Sequence, residues 1–272
     1  MDRHSGADYN VQPIQKLPLR TRELSAISHS SQQSSTAASA PRLVFLHIVK
    51  TAGTSLVEYL RSRLPPDSVL SHGDFLEYPG QRLDPDSMAA YSVISGHFGY
   101  SQIKEYLADS YSVTFLRDPI DRVLSLYKYC LNADMQKRFA AARATAELSV
   151  DDFMTSVRPE VVEMLDNQQT WQLADTYWTV DRQRQPLRSD AELLQLAKAH
   201  LQEFSLVGFT DTFAEDFRKV VLAMQLPEPG HVPRQLRTQD PVLPEHLQDS
   251  TLATLKDRMA LDYELLEYAR SL

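Results

Sequence analysis

The chain has 272 residues, of which 43% are hydrophobic and 24% charged, and its formal net charge at pH 7 is −8. This composition is ordinary for a globular protein, and the negative charge argues against a protein that coats nucleic acid. The one cysteine, Cys130, excludes an internal disulfide and fits a reducing compartment.

Residues 1–40 are polar and show no hydrophobic periodicity. Such a segment cannot bury enough apolar surface to offset the entropy lost on ordering, so we predict a disordered tail. It also lacks the apolar core of a secretory signal, and no stretch of the chain approaches the ~20 apolar residues of a membrane span. We therefore expect a cytoplasmic protein without a membrane span.

From Arg42 onward, short apolar runs alternate with amphipathic stretches. The alternation predicts βαβ units around a parallel sheet, and thus one α/β domain over residues 41–272. The predicted strands cover 43–48, 69–71, 91–95, 111–116 and 204–209. The predicted helices cover 54–64, 100–107, 120–131, parts of 134–178, 189–202, a stretch capped by Thr210 or Asp211 and ending near Gln225, and 246–270.

Two of the strand-to-helix turns carry the polar residues on which a function can be based. In an open α/β sheet such turns bind ligands, and the amides of a helix start suit a phosphate. The first turn contains one cation, a glycine and three hydroxyls, and the second combines a cation with a hydroxyl further along. The two turns together predict a clamp for two phosphates of one nucleotide. Their residues are Lys50, Thr51, Ala52, Gly53, Thr54 and Ser55 in the first turn, and Arg117 and Ser125 in the second.

The first turn departs from the loop that binds nucleoside triphosphates. That loop has four residues between two glycines and then Lys and Ser or Thr. Here Lys50 precedes the glycine, Gly53, and nothing matches the first glycine. An ATP-dependent small-molecule kinase is therefore the less favoured alternative.

Arg117 follows a buried strand, where an unpaired guanidinium is costly. It needs an anion, which Asp118, Asp121 or a ligand can provide. The presence of the first turn favours the ligand. Ser125 reaches the same ligand if its helix runs along the cleft.

The two segments together resemble the 5′-phosphosulfate loop and the 3′-phosphate motif of sulfotransferases that use 3′-phosphoadenosine 5′-phosphosulfate (PAPS). The resemblance is nearest to the carbohydrate branch, which holds the heparan and uronyl 2-O-sulfotransferases and their bacterial relatives. Residues 94–100 (Ile-Ser-Gly-His-Phe-Gly-Tyr) and 206–211 (Leu-Val-Gly-Phe-Thr-Asp) also resemble that branch. The resemblance implies a three-layer sandwich with a central parallel sheet, related to P-loop kinases.

The resemblance also implies roles for individual residues. Residues 50–55 would hold the 5′-phosphosulfate, and Lys50 would neutralise charge on the leaving oxygen. Arg117 and Ser125 would bind the 3′-phosphate, and Arg237 would lie on a loop that closes on the cofactor. Because a sulfonate carries less charge than a phosphoryl group, a lysine and a helix start can replace Mg²⁺, and we expect no metal.

The acceptor hydroxyl needs a base with a pKa near 7, for which histidine is suited. His97 follows an apolar strand between two glycines, and the resemblance makes it the catalytic base. The alternative is a structural histidine packed at a strand end. Glu77 and Asp74 are reserve candidates.

The acceptor is expected to be a saccharide or a small metabolite. Candidate contacts are Gln168 and Trp171, which pack into the core in the alternative interpretation, and Glu77. Arg182, Arg184 and Arg188 form either a site for an anionic saccharide or a solvated loop. A different class of function also stays open, namely a catalytically silent nucleotide-binding scaffold that holds a partner through its tail.

Overall fold

A computed structural model describes residues 40–71, 88–175, 188–232 and 241–272. The predicted tail, apart from Ala40, lies outside these residues, so the division at residue 40 stays a prediction. The candidate residues Asp74, Glu77, Arg182, Arg184 and Arg237 also lie outside them. Within the described part of the chain, no helix is long and apolar enough to cross a bilayer.

Among the described residues, five parallel strands form one sheet in the order β2-β3-β1-β4-β5. The central strand β1 pairs with β3 up to Leu46↔Gly96 and with β4 up to Leu46↔Thr114. The prediction of a parallel α/β sheet is confirmed. The strands are β1 (Arg42–Leu46), β2 (Val69–Leu70), β3 (Val93–Gly96), β4 (Ser110–Leu116) and β5 (Leu206–Phe209).

Helices cover both faces of the sheet. They are α1 (Gly53–Arg63), α2 (Tyr100–Leu107), α3 (Pro119–Cys130), α4 (Ala133–Arg138), α5 (Ala140–Ala146), α6 (Val150–Met154), α7 (Pro159–Leu165), α8 (Gln168–Ala174), α9 (Asp190–Leu201), α10 (Phe213–Ala223), α11 (Asp249–Arg258) and α12 (Ala260–Arg270), with 3₁₀ turns at Pro66–Ser68 and Pro244–His246.

Side chains of β1 alternate between two apolar clusters, as the period of a strand requires. Leu43 and Phe45 pack with α1 and α10 on one face, while Val44 and Leu46 pack with α2, α8, α9 and α12 on the other. All four are fully buried, which is the pattern of a strand covered on both faces. A third cluster joins α3, α6, α7 and α11 beside the sheet.

The strand order creates a crevice between β1 and β4 at their carboxyl ends. The chain leaves β1 toward β2 on one side of the sheet, and it leaves β4 toward β5 on the other side. In open parallel sheets, ligands bind at such a point of divergence. Both turns singled out in the sequence lie there.

The structure corrects the predicted start of the helix after β5. Neither Thr210 nor Asp211 caps it, because Thr210 N continues the sheet by donating to Leu116 O (3.0 Å) and Asp211 pairs with Arg270 (2.7 Å). The helix begins at Phe213 after Thr212. Inside the first turn, Asp216 accepts from Thr212 Oγ1 at 2.6 Å, which stabilises the start from within the helix.

The predicted helix over 246–270 is two helices, α11 and α12, with Met259 between them. The break has a tertiary cause. Asn167, just before α8, accepts hydrogen bonds from the Leu261 and Asp262 amides at 3.0 and 3.1 Å. The second helix therefore starts where Asn167 satisfies its first amides.

Asp262 in turn caps the start of α8. Its carboxylate accepts from the amides of Gln169 (3.3 Å) and Thr170 (2.8 Å) and from Thr170 Oγ1 (2.8 Å). The carboxyl is fully buried; burial raises its pKa, and the nearby Arg122 guanidinium opposes that rise. The two helix starts thus cap each other.

We predict that Asp262→Ala lowers the free energy of unfolding by roughly 3 kcal/mol, because three buried donors lose their acceptor. Urea unfolding of the purified variant measures the loss. Asp257→Ala, at an exposed position of α11, is the matched control and should change stability by less than about 0.5 kcal/mol. Equal effects of the two substitutions would contradict the reciprocal cap.

Candidate active site

The turn between β1 and α1 contains two non-glycine residues in the left-handed region, Lys50 (φ 70°) and Ala52 (φ 67°). Such backbone costs free energy and persists only where the surroundings hold it. Here Thr51 Oγ1 donates to Ile48 O at 2.8 Å and Ser55 N donates to Ala52 O at 3.1 Å. Ala52, the residue before the helix, has no side-chain acceptor for the first amides of α1, which suits this helix start to an anion.

Gly53 allows the turn to pack against β1. A Cβ at this position would lie 2.3 Å from His47 Cδ2 and 2.7 Å from Phe45 Cζ, which are impossible distances. The His47 ring is stacked on Phe45 and nearly buried, so it has little room to move. The glycine is therefore required for the close approach of the loop to the strand.

Lys50 lies in a cationic and largely dry environment. Its Nζ is 4.5 Å from the centre of the Tyr129 ring, a cation–π contact. Burial and, to a smaller extent, the Arg117 guanidinium lower the pKa of Lys50 to about 8, against an opposing effect of Cys130. The ammonium is thus held where an anionic ligand would restore its ordinary pKa.

Arg117 follows β4 and joins the two turns. Its Nη1 donates to the carbonyl oxygen of Lys50 at 3.1 Å. Among the described residues no carboxylate forms an ion pair with it, and Asp118 instead accepts from the Asp121 amide at the start of α3 (2.9 Å). Burial lowers the pKa of the Arg117 guanidinium, while Asp121 and Asp118 oppose that shift. A half-buried cation in this position favours an anionic ligand.

Two buried glutamines of α8 bond to backbone at the ends of β1 and β4. Gln169 accepts from Arg117 N (3.1 Å) and donates to Arg117 O (3.0 Å). Gln172 donates to His47 O at 3.1 Å. The amides of this helix therefore complete the hydrogen bonding of the strand ends on which the site is built.

His97 lies directly after β3, next to His47. Its Nδ1 is 2.6 Å from His47 O, and the two rings are 4.6 Å apart. Because a carbonyl oxygen only accepts, Nδ1 carries the proton, and the neutral ring has its lone pair on Nε2. This tautomer is the one required of a base that acts through Nε2.

An open cleft of about 750 Å³ extends from the start of α1 to α10. Its two acidic residues form ion pairs with side chains that do not line it. Asp211 pairs with Arg270 (2.7 Å) and Glu215 pairs with Lys219 (3.0 Å). Within the described ranges, the two arginines of the cleft form no ion pair. The cleft is lined by Ala52, Ser55, Arg117, Thr210, Asp211, Thr212, Phe213, Ala214, Glu215 and Arg218.

The structure brings the first turn into contact with Arg117 and places His97 beside β1. Ser125 is half-buried on α3. Gln168 is buried with 4% exposure, and Trp171 packs partly buried against the cluster around α8. Arg188 is paired with Asp175 at 2.8 Å, which accounts for its charge within the protein.

No described group of three or more His, Cys, Asp or Glu side chains could hold a metal ion, and the expectation that the site uses no metal stays a prediction.

Sequence reasoning missed Gln169, Gln172 and Arg218. The two glutamines lie beside Gln168 and Trp171, for which the sequence indicated either a contact with the acceptor or packing in the core. Arg218 follows Ala214 by four residues, so the two share a face of α10. The sequence had already indicated the turn after β5 as part of the site. The spacing of four residues between Ala214 and Arg218 was the signal that could have led to Arg218.

Comparison with known proteins adds a family. A model described as "Sulfotransferase family" matches residues 35–269. No curated protein matches the chain by sequence. Among solved structures, the crystal structure of a mouse sulfotransferase complexed with PAP is 12% identical, covers 84% of this chain and 89% of its own, and gives a TM-score of 0.40.

We predict that binding of adenosine 3′,5′-bisphosphate weakens as the pH rises through about 8, because Lys50 loses its charge there. Calorimetric titrations between pH 7 and 9.5 should show a several-fold loss of affinity. Near pH 8, binding should take up protons, because a bound phosphate raises the pKa of Lys50. Proton uptake is read from the dependence of the binding enthalpy on the buffer.

Lys50→Gln should bind more weakly at every pH and lose this dependence. Lys256→Gln, at an exposed position of α11, removes the same charge away from the turn and should keep the wild-type profile. A profile for Lys50→Gln that still falls through pH 8 would assign the titration to another group.

Proposed function

Since the chain belongs to the sulfotransferase family, we propose that it transfers the sulfuryl group of PAPS to a hydroxyl of a saccharide or small metabolite. The family match confirms the prediction of a sulfotransferase enzyme. The carbohydrate branch rests on the resemblance of residues 94–100 and 206–211. The cytoplasmic location rests on the sequence, where the single cysteine fits a reducing compartment.

The contact between Arg117 Nη1 and Lys50 O, at 3.1 Å, supports the proposal most directly. It joins the two turns that the sequence assigned separately to a 5′- and a 3′-phosphate. The contact lies in the crevice between β1 and β4, where an open parallel sheet binds its ligand. A ligand with two separated phosphates fits such a pair of turns better than a ligand with one.

The residues present fit PAPS. Lys50 and Arg117 are cations held partly out of water, and among the described residues Arg117 has no carboxylate partner. The cleft volume of about 750 Å³ lies within the usual range for ligand pockets. The helix start after Ala52 adds a backbone site for phosphate oxygens.

PAPS, when bound, supplies a sulfuryl group on a phosphate oxygen that leaves as part of adenosine 3′,5′-bisphosphate. The Lys50 ammonium and the start of α1 stabilise the negative charge that develops on that oxygen. Arg117 and Ser125 bind the 3′-phosphate and so hold the donor in line for the acceptor. Lys50 therefore acts on the reacting atoms, while Arg117 and Ser125 select and orient the nucleotide.

His97 is the proposed base. With its Nδ1 proton donated to His47 O, the neutral ring has Nε2 as its basic atom, which would act on the acceptor hydroxyl. With PAPS bound, Nε2 would take the proton of the acceptor hydroxyl, while Lys50 and the start of α1 would stabilise the adenosine 3′,5′-bisphosphate released when the bond to the sulfuryl group breaks. The imidazolium that results keeps its bond to the His47 carbonyl, which stabilises the charged ring.

The acceptor contacts remain candidates. Trp171 is partly exposed and offers an aromatic face, whereas Gln168 has only 4% exposure and little surface for a direct contact. Glu77 and the nucleotide-closing Arg237 lie outside the described residues. We keep all four as proposed site residues beside Thr51, Thr54 and Ser55 of the first turn.

We predict that the wild-type protein binds adenosine 3′,5′-bisphosphate in calorimetry at least tenfold more tightly than ATP with Mg²⁺. Arg117→Ala should weaken the bisphosphate by roughly 10²-fold, because one charge-assisted pair is worth up to about 3 kcal/mol. Arg143→Ala, which removes an exposed arginine of α5, should leave both affinities unchanged.

Preference for ATP with Mg²⁺ would overturn the sulfotransferase assignment in favour of a kinase. Indifference to both nucleotides would favour a scaffold without catalytic activity.

We predict that His97→Ala lowers the turnover of PAPS to adenosine 3′,5′-bisphosphate by roughly 10²- to 10⁴-fold, because the acceptor loses its base. The assay follows bisphosphate release with the best acceptor from a panel of mono- and oligosaccharides. The affinity for the bisphosphate should change less than twofold. His246→Ala, at an exposed 3₁₀ turn, is the control, and undiminished turnover of His97→Ala would exclude His97 as the base.

A further inference from the structure

Gln169 forms two hydrogen bonds with one residue of the site. Its Oε1 accepts from Arg117 N at 3.1 Å and its Nε2 donates to Arg117 O at 3.0 Å. A neighbouring strand offers a residue the same two-point pairing, a donor and an acceptor on one side. At this point β1 has already ended, since its last residue, Leu46, is paired with Thr114. The glutamine side chain therefore takes the place of the missing strand.

The pairing fixes the backbone of the residue that carries the guanidinium. Holding both N–H and C=O of Arg117 restrains its φ and ψ, and so sets the direction in which the side chain leaves the strand. The guanidinium is held at its far end by one bond to Lys50 O (3.1 Å). The orientation of the side chain thus depends on Gln169 at one end and on the first turn at the other.

Gln169 is itself rigid. It is 1% exposed, and its own amide is bonded to Asp262 of α12 at 3.3 Å. The next residue, Thr170, is held by two further bonds to the same carboxylate, both of 2.8 Å. Both polar atoms of the Gln169 side chain bond to Arg117, and at 1% exposure the side chain has almost no surface for a direct contact with a nucleotide.

We propose that Gln169 is a positioning residue that orients Arg117 for the 3′-phosphate, and so contributes to the selection of a 3′-phosphorylated nucleotide. The proposal rests on the function proposed above. A positioning role differs from a purely structural one in its effect on binding. Loss of Gln169 should reduce the part of the binding affinity that comes from the 3′-phosphate and leave the affinity for the rest of the nucleotide unchanged.

The test compares two probes by calorimetry, adenosine 3′,5′-bisphosphate and adenosine 5′-monophosphate, which differ only in the 3′-phosphate. The dissociation constant of the monophosphate divided by that of the bisphosphate measures how much the 3′-phosphate contributes to binding. This quotient is called the ratio below. Gln169→Met, similar in length but without the amide, should lower this ratio about tenfold by misplacing the guanidinium. The affinity for the monophosphate should change less than twofold.

A double-mutant cycle with Arg117→Ala identifies the route of the effect. Since Gln169 acts through Arg117, adding Gln169→Met to Arg117→Ala should lower the ratio no further.

Should Gln169→Met fail to fold, Gln169→Glu keeps the acceptor for Arg117 N, loses the donor to Arg117 O, and should lower the ratio as well. Thr170→Val is the control on the same helix. It removes a bond to Asp262, should lower the melting temperature, and should leave the ratio unchanged.

Each contrary result has one meaning. A wild-type protein that binds both probes equally would overturn the proposed function and this inference with it. A ratio that collapses in Arg117→Ala but stays at the wild-type value in the Gln169 variants would overturn the inference alone. An equal loss for both probes, or a further loss in the double mutant, would show that Gln169 only supports the fold.

Discussion

The hydrogen bonds from Gln169 and Gln172 to the strand ends are the constraint on which the site depends. A strand that ends inside a protein leaves backbone groups that need partners. Gln169 satisfies the backbone of Arg117, and Gln172 bonds to the His47 carbonyl that also accepts from His97. One helix of the covering layer thus bonds to the backbone groups that hold two proposed active-site side chains, Arg117 and His97, so the positions of both depend on α8.

The position of α8 depends in turn on the last helix of the chain. Asn167 caps the start of α12 and Asp262 caps the start of α8, a contact that spans 95 positions of sequence. A reciprocal cap of this kind satisfies amides at both helix starts with two side chains, the half-buried Asn167 and the buried Asp262. The C-terminal helix is therefore part of the support of the cleft, although none of its residues lines it.

The positive charges of Lys50 and Arg117 in the crevice cost folding free energy but suit the binding of an anion. Burial disfavours the charge on both Lys50 and Arg117, and the Arg117 guanidinium adds to the cost of charging Lys50. A protein selected only for stability would neutralise such a pair, whereas here the acids of the cleft are paired with Arg270 and Lys219 at the rim. Within the part of the chain that the structure describes, no ion pair neutralises these two cations, and an anionic nucleotide can stabilise their charge.

The sequence by itself determined the parallel α/β sheet and the two turns at the carboxyl ends of β1 and β4. Apolar runs buried on both faces, Gly53 beside Lys50, and Arg117 before Pro119 are local signals, because strand period, close packing and helix starts depend on neighbouring residues. The sequence did not determine the roles of Gln169, Gln172, Asn167 and Asp262, the division of the last helix, or the start of α10 at Phe213. A polar side chain in a helix has no local signal for a distant partner, and only the packing of α8 against the sheet and α12 decided which backbone groups it would satisfy.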